Sequence, residues 1–183
     1  MDRVTRKKFM KQAGLSLVSS LVLPQMVFAG ENNFEGMVVQ DDGGEIYQMR
    51  GGTALVKIKF GKKQGAGSVS FVSESFRPGD AIPVHKHLHE DEFIFLHKGS
   101  GLLTLGDNQY PVSSGAVAIV PKGVWHGLQN NGTEILEMRF GYTPAGFEGF
   151  FRDMGTPAGQ PYVNKTLDDV KAISRKWGIV YKK

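Results

Sequence analysis

The sequence predicts a domain built almost entirely of β-strands, and two observations carry this prediction. Between residues 45 and 142, short β-prone runs alternate with turn signals. The chain of 183 residues also contains 24 glycines and 8 prolines, spread along its length, as tight turns between short strands require. About nine strands at this spacing are typical of a sandwich or a barrel.

The predicted strands are separated by turns rich in glycine, proline and asparagine, such as Gly51-Gly52 and Asn130-Asn131-Gly132. Each run is rich in β-branched, aromatic or other apolar residues. We place the strands at residues 46–50, 54–60, 68–76, 93–98, 101–105, 109–111, 116–120, 125–129 and 135–142.

The C-terminal part of the chain changes character and predicts a short helical extension. Residues 147–154 can form one or two helical turns. Thr166 and Asp169 then have the spacing of a capping box, and Gly178 is a suitable end for the helix that follows. An apolar stripe at helical spacing predicts that this helix packs on the barrel, although a lid or a partner surface is the alternative; its members are Leu167, Val170, Ile173 and Trp177.

Residues 1–29 predict an export signal that is cleaved after Ala29. A basic head precedes an apolar run over residues 14–23, which is too short to span a membrane. The head resembles a twin-arginine signal, but Lys7 follows Arg6 where that signal has a second arginine. The twin-arginine and the general secretory routes therefore both stay open. We expect a periplasmic protein without a stable membrane span after signal removal.

The distribution of charge argues against a nucleic-acid partner. The formal net charge is +4, but residues 1–29 hold all of it, because residues 30–183 contain 17 basic and 17 acidic side chains. No basic surface is left to bind phosphate groups. The complete absence of cysteine agrees with export. After the signal we expect a lead-in over 30–44, a barrel over 45–143 and the helical extension over 144–183.

Histidines point to a metal site. Four of the five histidines fall within thirteen residues. Side chains alternate in a strand, so His85 and His87 face the same way and can bind one ion together. Glu92 follows across a short loop, and His126 could complete the set from another strand. Three imidazoles and a carboxylate suit Zn, Fe, Ni, Cu or Mn.

The spacing of these residues resembles the two sequence motifs of the cupin superfamily. The first reads Gly79-x5-His85-x-His87-x4-Glu92-x6-Gly99, and the second reads Gly115-x5-Pro121-x-Gly123-x2-His126-x3-Asn130, with fifteen residues between them. The resemblance implies a jelly-roll barrel that holds one divalent transition metal (Fe, Mn, Ni, Cu or Zn) on His85, His87, Glu92 and His126. It also implies that Asn130 orders a loop and does not contact the ion.

Alternation along the strand of Glu92 predicts the two faces of that strand. If Glu92 points into the barrel, Ile94 and Leu96 do so too. Phe93 and Phe95 then face outward, which is compatible with a homodimer. His97 faces away from the metal, and His89 lies exposed at the rim. Further apolar residues can add to the pocket lining, although we favour ordinary core packing for each; they are Phe71, Trp125, Met138 and Phe140.

Three classes of function follow from a metal in such a barrel. The barrel and its tail resemble small bacterial single-domain cupins of the quercetin-dioxygenase-like type. That resemblance implies a metal-dependent dioxygenase for a small enolisable or aromatic substrate, with Glu92 as the catalytic base. The alternatives are a metal-dependent isomerase, decarboxylase or lyase, and a periplasmic cupin that binds a small molecule without turnover.

Overall fold

The strands form two sheets, in agreement with the predicted all-β fold. The computed structural model describes residues 36–183. The predicted signal segment and the first part of the lead-in lie outside the described residues. Two short helices accompany the strands, and both lie in the C-terminal part of the chain.

Twelve strands and two α-helices lie within residues 36–183, and their bounds follow the turn signals closely. The strands are β1 Glu45–Met49, β2 Ala54–Phe60, β3 Phe71–Phe76, β4 Ala81–His87, β5 Asp91–Lys98, β6 Ser100–Leu105, β7 Asn108–Ser113, β8 Val117–Val120, β9 His126–Gln129, β10 Leu136–Thr143, β11 Thr156–Pro157 and β12 Ile179–Tyr181. The helices are α1 Glu148–Met154 and α2 Leu167–Lys176.

Both sheets are antiparallel in every pairing between their strands. The larger sheet has seven strands in the order β11-β1-β2-β3-β10-β5-β8, and the smaller has five in the order β12-β4-β9-β6-β7. Strand β10 lies between β3 and β5, where Phe140 pairs with Val72 on one side and with Ile94 on the other. This register places residues of like parity from the three strands on one inward face.

The inward face of the seven-stranded sheet supplies much of the hydrophobic core. Val56, Val72 and Phe140 are at most 2% exposed. Ile94 and Leu96 are buried, as the alternation along β5 predicted, while Phe95 is exposed on the outer face. Burying each of these apolar side chains contributes about 1.5–3 kcal/mol of transfer free energy.

Three strands were not among those predicted from the sequence. The residues of β4 are Ala-Ile-Pro-Val-His-Lys-His, and its proline and polar side chains conceal a strand. The other two lie in the C-terminal segment, where β11 pairs with β1 and β12 pairs with β4. The segment 144–183 is therefore not only a helical extension, because it adds one strand to each sheet.

The two helices begin and pack largely as predicted. Thr166 and Asp169 form the capping box of α2, with Asp169 N donating to Thr166 Oγ1 over 3.1 Å. The apolar stripe of α2 is narrower than expected, because Leu167 is 69% exposed, while Ile173 and Trp177 pack against the core. Neither helix within residues 36–183 is long and apolar enough to cross a membrane.

Candidate metal centre

Four predicted metal ligands come together from three strands in the two sheets. His85 and His87 lie on β4 of the five-stranded sheet, and His126 of β9 pairs directly with His85. Glu92 lies on β5 of the seven-stranded sheet, beside Tyr142 of β10. The cluster therefore lies where the inner faces of the two sheets meet, and an ion held there would connect them.

All four side chains are buried. Their potential ligand atoms lie within 4.8 Å of one another. The exposed fractions are 6% for His85, 2% for His87, 4% for Glu92 and 2% for His126. The imidazole rings of His85 and His126 are only 4.1 Å apart between centroids. Three imidazoles and a carboxylate at these separations form a donor set suited to a transition metal.

Backbone carbonyls fix the orientation of two of the histidines. His85 Nδ1 lies 2.8 Å from the carbonyl oxygen of Pro83, and His126 Nδ1 lies 3.0 Å from that of Val124. A carbonyl can only accept a hydrogen bond, so each Nδ1 carries the proton and each Nε2 is left to bind a metal. Burial, with the nearby His126 and His87, lowers the pKa of His85 to about 3, which keeps this ligand neutral.

Glu92 is held as a carboxylate by the imidazoles around it. Its Oε2 lies 2.8 Å from Nε2 of His126 and 3.2 Å from Nε2 of His87. Burial acts to raise the pKa of Glu92, but the hydrogen bond from His126 and the proximity of His87 outweigh it and lower the pKa to about 2. Nε2 of His126 faces the Glu92 carboxylate, and a metal bound at Nε2 would replace this hydrogen bond.

The fit to a metal is clearest at His87. Neither ring nitrogen of His87 makes a hydrogen bond to any described residue, although both are buried. The ring is packed edge-on against Phe147, with 4.2 Å between centroids, and against Tyr142 at 5.1 Å. A buried polar group without a partner costs about 1–3 kcal/mol. Coordination by Nε2 of His87 would remove that penalty at this atom, so the residues present fit a metal ion.

A cavity of about 350 Å³ opens onto this cluster and is lined by His85 and Glu92. Such a volume lies at the lower end of the range for small-molecule sites. Its walls are mostly aromatic and aliphatic, and several come from α1 and the residue before it. These wall residues are Phe140, Tyr142, Phe147, Phe150, Phe151, Met154 and Ile179.

Of the four apolar residues considered for the pocket lining, Phe140 lines the cavity and the other three do not. Phe71 lies on the outer face of β3, where it stacks on Phe60 with 5.8 Å between centroids. Trp125 is half-buried under the Lys86 ammonium, which lies 4.7 Å from its ring. Met138 is 1% exposed and fills the core. Hydrophobicity alone does not distinguish these three places.

Several cavity residues escaped the sequence analysis. Arg50, Glu74, Lys165 and Tyr181 all line the cavity. The sequence pattern could have indicated only Glu74. Glu74 is two residues after the apolar Val72 on β3, so alternation places this acid on the inward face. The others come from turns or from the unpredicted β12.

Three polar residues near the motifs lie where the sequence placed them. His89 and His97 are exposed, outside the ligand cluster. Asn130 is fully buried and organises a loop: its amide donates to the carbonyl oxygens of Phe76 and Glu134, over 3.0 and 2.7 Å. Its side-chain oxygen also accepts from Gly132 N over 3.0 Å. Asn130 therefore stabilises the loop after β9 and is not a ligand.

Comparison with known proteins supports the cupin superfamily. Residues 72–141, from β3 to β10, match the family model described as "Cupin domain". A segment of 56 residues is 34% identical to Protein SchB of Streptomyces halstedii, and it spans 31% of this chain but only 41% of that protein.

Solved structures show the same fold. A predicted oxalate decarboxylase from Thermotoga maritima matches with a TM-score of 0.53 and 24% identity, over 59% of this chain and 99% of that one. A sugar phosphate isomerase from Silicibacter pomeroyi, itself described as a cupin, matches with a TM-score of 0.51 and 17% identity, over 58% of this chain and 75% of that one. At these identities the likeness concerns the fold.

Proposed function

We propose that this chain, whose barrel contains a cupin domain, is an exported metal-dependent enzyme of the dioxygenase-like type. Its substrate in this proposal is a small enolisable or aromatic molecule. The observation that carries the proposal is the buried cluster of three histidines and one glutamate at the end of an apolar cavity. A divalent transition metal held by His85, His87, Glu92 and His126 would supply Lewis acidity and a site for O₂.

The protein residues would bind the substrate, exclude water and move one proton. The aromatic walls from α1 favour a flat organic molecule and displace water from the cluster. Glu92 would accept the proton of a substrate hydroxyl as general base. This role requires Glu92 to be free of the metal or only loosely bound to it.

Oxygen uptake tests the proposal directly. Protein purified with its own metal is screened against flavonols and other enolisable compounds in an oxygen electrode, and the metal is identified by elemental analysis. We expect O₂ consumption that is stoichiometric with substrate loss and is abolished by a chelator. Protein that contains no metal, yet still binds its ligand, would overturn the proposal.

Substitution of Glu92 tests its role as a base. Glu92→Ala is expected to abolish turnover while leaving part of the metal on the three histidines. Glu137→Gln is a control at an acidic residue outside the cluster. Glu137 precedes the buried Met138 on β10, so its side chain lies on the other face of the strand. Full turnover by Glu92→Ala would exclude the base role.

Two other functions remain as alternatives, and the same measurements separate them. Relatives of the fold include proteins described as a decarboxylase and an isomerase. Turnover under strictly anaerobic conditions would favour a metal-dependent isomerase, decarboxylase or lyase and would exclude a dioxygenase. Ligand binding without turnover under any condition, with any metal, would identify a non-catalytic binding protein.

Export to the periplasm belongs to the same proposal. The basic head, apolar run and compact residues before Ala29 support it. Intact mass measurement on a periplasmic fraction is expected to show a mature chain that begins at Gly30. Blocking the twin-arginine and the general secretory pathways in turn would then identify the route.

We further propose that the protein forms a homodimer through the outer face of β5 and β8. Strand β8 is an edge strand, and two of its side chains, Val117 and Ile119, are 75% and 61% exposed beside the half-exposed aromatic residues of β5. Light scattering is expected to give the mass of two chains. Val117→Lys should yield monomers, whereas Tyr110→Lys on the other sheet should not.

A further inference from the structure

The cavity contains a second group of charged residues that the proposed chemistry does not use. Arg50 and Glu74 line the same cavity as the metal cluster. Nη2 of Arg50 lies 2.6 Å from Oε1 of Glu74, and the guanidinium lies 4.8 Å from the centre of the Phe76 ring. A charged pair inside a barrel is expensive to desolvate, so core packing alone does not explain its presence.

The guanidinium of Arg50 retains unused hydrogen-bonding capacity. Among the described residues, Nε of Arg50 has no hydrogen-bond partner although it is buried, whereas Nη2 contacts Oε1 of Glu74. Arginine has five N–H donors in a planar fork that matches a carboxylate. The guanidinium therefore has N–H donors that Glu74 does not use.

The backbone at Arg50 is also unusual. With a φ of 47°, Arg50 is the one residue other than glycine among residues 36–183 that has a positive φ. The left-handed region costs a side-chain-bearing residue about 1–2 kcal/mol. Glycine would fit this turn without that penalty, as it does at the neighbouring Gly51 and Gly52. Such strain concentrates at ligand-binding sites.

A second cation lies on a loop that is held against the same turn. Lys165 lines the cavity. The loop that carries it is fixed to β1 by Gln48, whose Nε2 donates to the carbonyl oxygen of Gln160 over 2.7 Å. Arg50 and Lys165 carry two positive charges, and Glu74 and Glu92 carry at most two negative charges. A divalent metal would therefore make the cavity positive overall and attractive to an anion.

The register of β10 sets the length of a ligand that can reach both groups. Glu74 pairs with Met138, and Glu92 pairs with Tyr142. The two paired positions on β10, Met138 and Tyr142, are four residues apart, or about 13 Å at the rise of a strand. A ligand that contacts Arg50 and the metal cluster is therefore elongated, and the walls of Phe140, Phe147 and Phe151 require it to be largely apolar and flat.

We propose that Arg50, assisted by Lys165, binds the carboxylate of the substrate, and that the substrate is a small elongated aromatic carboxylic acid with metal-binding oxygen atoms at its other end. The inference rests on the function proposed above, because it places the substrate in the same cavity. It adds the chemical class of that substrate and the residue that selects it.

The test compares an acid with its amide, so that only the negative charge changes. Caffeate, caffeic amide and catechol are titrated calorimetrically and anaerobically into the metal-containing protein. We expect caffeate to bind more tightly than its amide. Arg50→Gln should reduce this preference by roughly ten- to a hundredfold without changing metal content or catechol affinity. Arg50→Lys should restore part of it.

Two further variants guard against misfolding and nonspecific charge effects. Arg50→Gln/Glu74→Gln leaves no unpaired carboxylate and should show the same loss of preference. Arg139→Gln is the matched control, because Arg139 pairs with Asp41 over 2.9 Å outside this cavity and has a similar exposed fraction, 22% against 27% for Arg50. It should retain the preference of the unaltered protein.

The outcomes separate this inference from the function on which it rests. Equal affinities for caffeate and its amide, no binding of either, or an equal loss in Arg50→Gln and Arg139→Gln would each overturn the role of Arg50. Catechol binding that is unaffected by a chelator would instead contradict the metal-dependent function, whatever the acid-to-amide ratio shows.

Discussion

Glu92 Oε2 lies 2.8 Å from His126 Nε2, so a carboxylate from the seven-stranded sheet meets an imidazole from the five-stranded sheet inside the barrel. His87 lies 3.2 Å from the same oxygen and has no hydrogen-bond partner among the described residues. These donors converge on one place although they lie on three strands. An ion bound there would join the sheets as well as supply chemistry.

Removal of His126 is expected to weaken metal binding by at least about a hundredfold, because even residues that only orient ligands contribute ten- to a hundredfold. The measurement is metal content by elemental analysis, followed by competition with a chelator of known affinity. His97→Ala is the control, since His97 is exposed on β5 and outside the cluster. Equal metal affinity in the two variants would contradict the assignment of His126 as a ligand.

The sequence predicted the fold class and the ligand cluster because both depend on local spacing. Alternation along β5 placed Glu92, Ile94 and Leu96 on one face without knowledge of the sheets. The pairing of His85 with His126 is a long-range contact, and it could be expected only because the two motifs resemble those of a known family. Spacing within a strand and family resemblance thus carried different parts of the prediction.

The cavity could not be predicted in the same way. Its walls combine α1, the turn at Arg50, the loop before α2 and strand β12, which lie far apart in the sequence. Hydrophobicity suggested Trp125 and Phe71, which pack elsewhere, and gave no reason to choose Phe147. Only the three-dimensional arrangement distinguishes an aromatic residue that lines a cavity from one that fills a core or covers an outer face.

Glu148 is expected to hold α1 in place. Its carboxylate is 1% exposed and accepts hydrogen bonds from Lys62 N and Gly146 N, each over 2.7 Å. Glu148→Ala leaves two backbone donors without a partner and should lower the free energy of unfolding by roughly 2–5 kcal/mol. Urea denaturation measures the loss.

Two comparison variants make the effect of Glu148 specific. Glu148→Gln keeps one accepting oxygen and should lose less than Glu148→Ala. Glu134→Ala, at an exposed position, should change the free energy of unfolding by less than about 0.5 kcal/mol. Because α1 and the residue before it wall the cavity, Glu148→Ala should also weaken ligand binding. A fully stable Glu148→Ala protein would show that α1 does not depend on this carboxylate.

Gly149→Ala has two opposing effects on the stability of the folded protein, and they differ in size. Alanine in place of a glycine inside a helix favours the helix by about 1 kcal/mol. A Cβ at Gly149 would, however, overlap the indole ring of Trp177, whose N–H is held by Asp153 over 2.7 Å. Overpacking of this kind costs about 1–3 kcal/mol. We therefore expect net destabilisation in thermal unfolding, with metal content unchanged.

Release of the overlap checks this explanation. Trp177→Leu replaces the ring that Gly149 contacts, so adding Gly149→Ala to that variant should no longer destabilise the protein. Because alanine favours a helix more than glycine does, Gly149→Ala/Trp177→Leu should then be more stable than Trp177→Leu alone. An equal loss from Gly149→Ala in both backgrounds would show that the contact with Trp177 is not the cause.

Glu74 is expected to make the free energy of unfolding fall as the pH rises from about 4.5 to about 7. Burial, with smaller contributions from the charges of Asp80 and Glu92, raises the pKa of Glu74 to about 7 against the opposing effect of Arg50. The folded protein thus holds a proton that the unfolded chain releases near the ordinary glutamate pKa of 4.5. Between these two pH values, folding binds a proton, so a higher pH disfavours the folded state.

Glu74→Gln carries no such proton, and its free energy of unfolding relative to that of the unaltered protein should rise by a few kcal/mol across this pH interval. Urea denaturation of both proteins at pH 5 and pH 8 measures the change, and because all other titrating groups are shared, parallel pH profiles would exclude a raised pKa at Glu74.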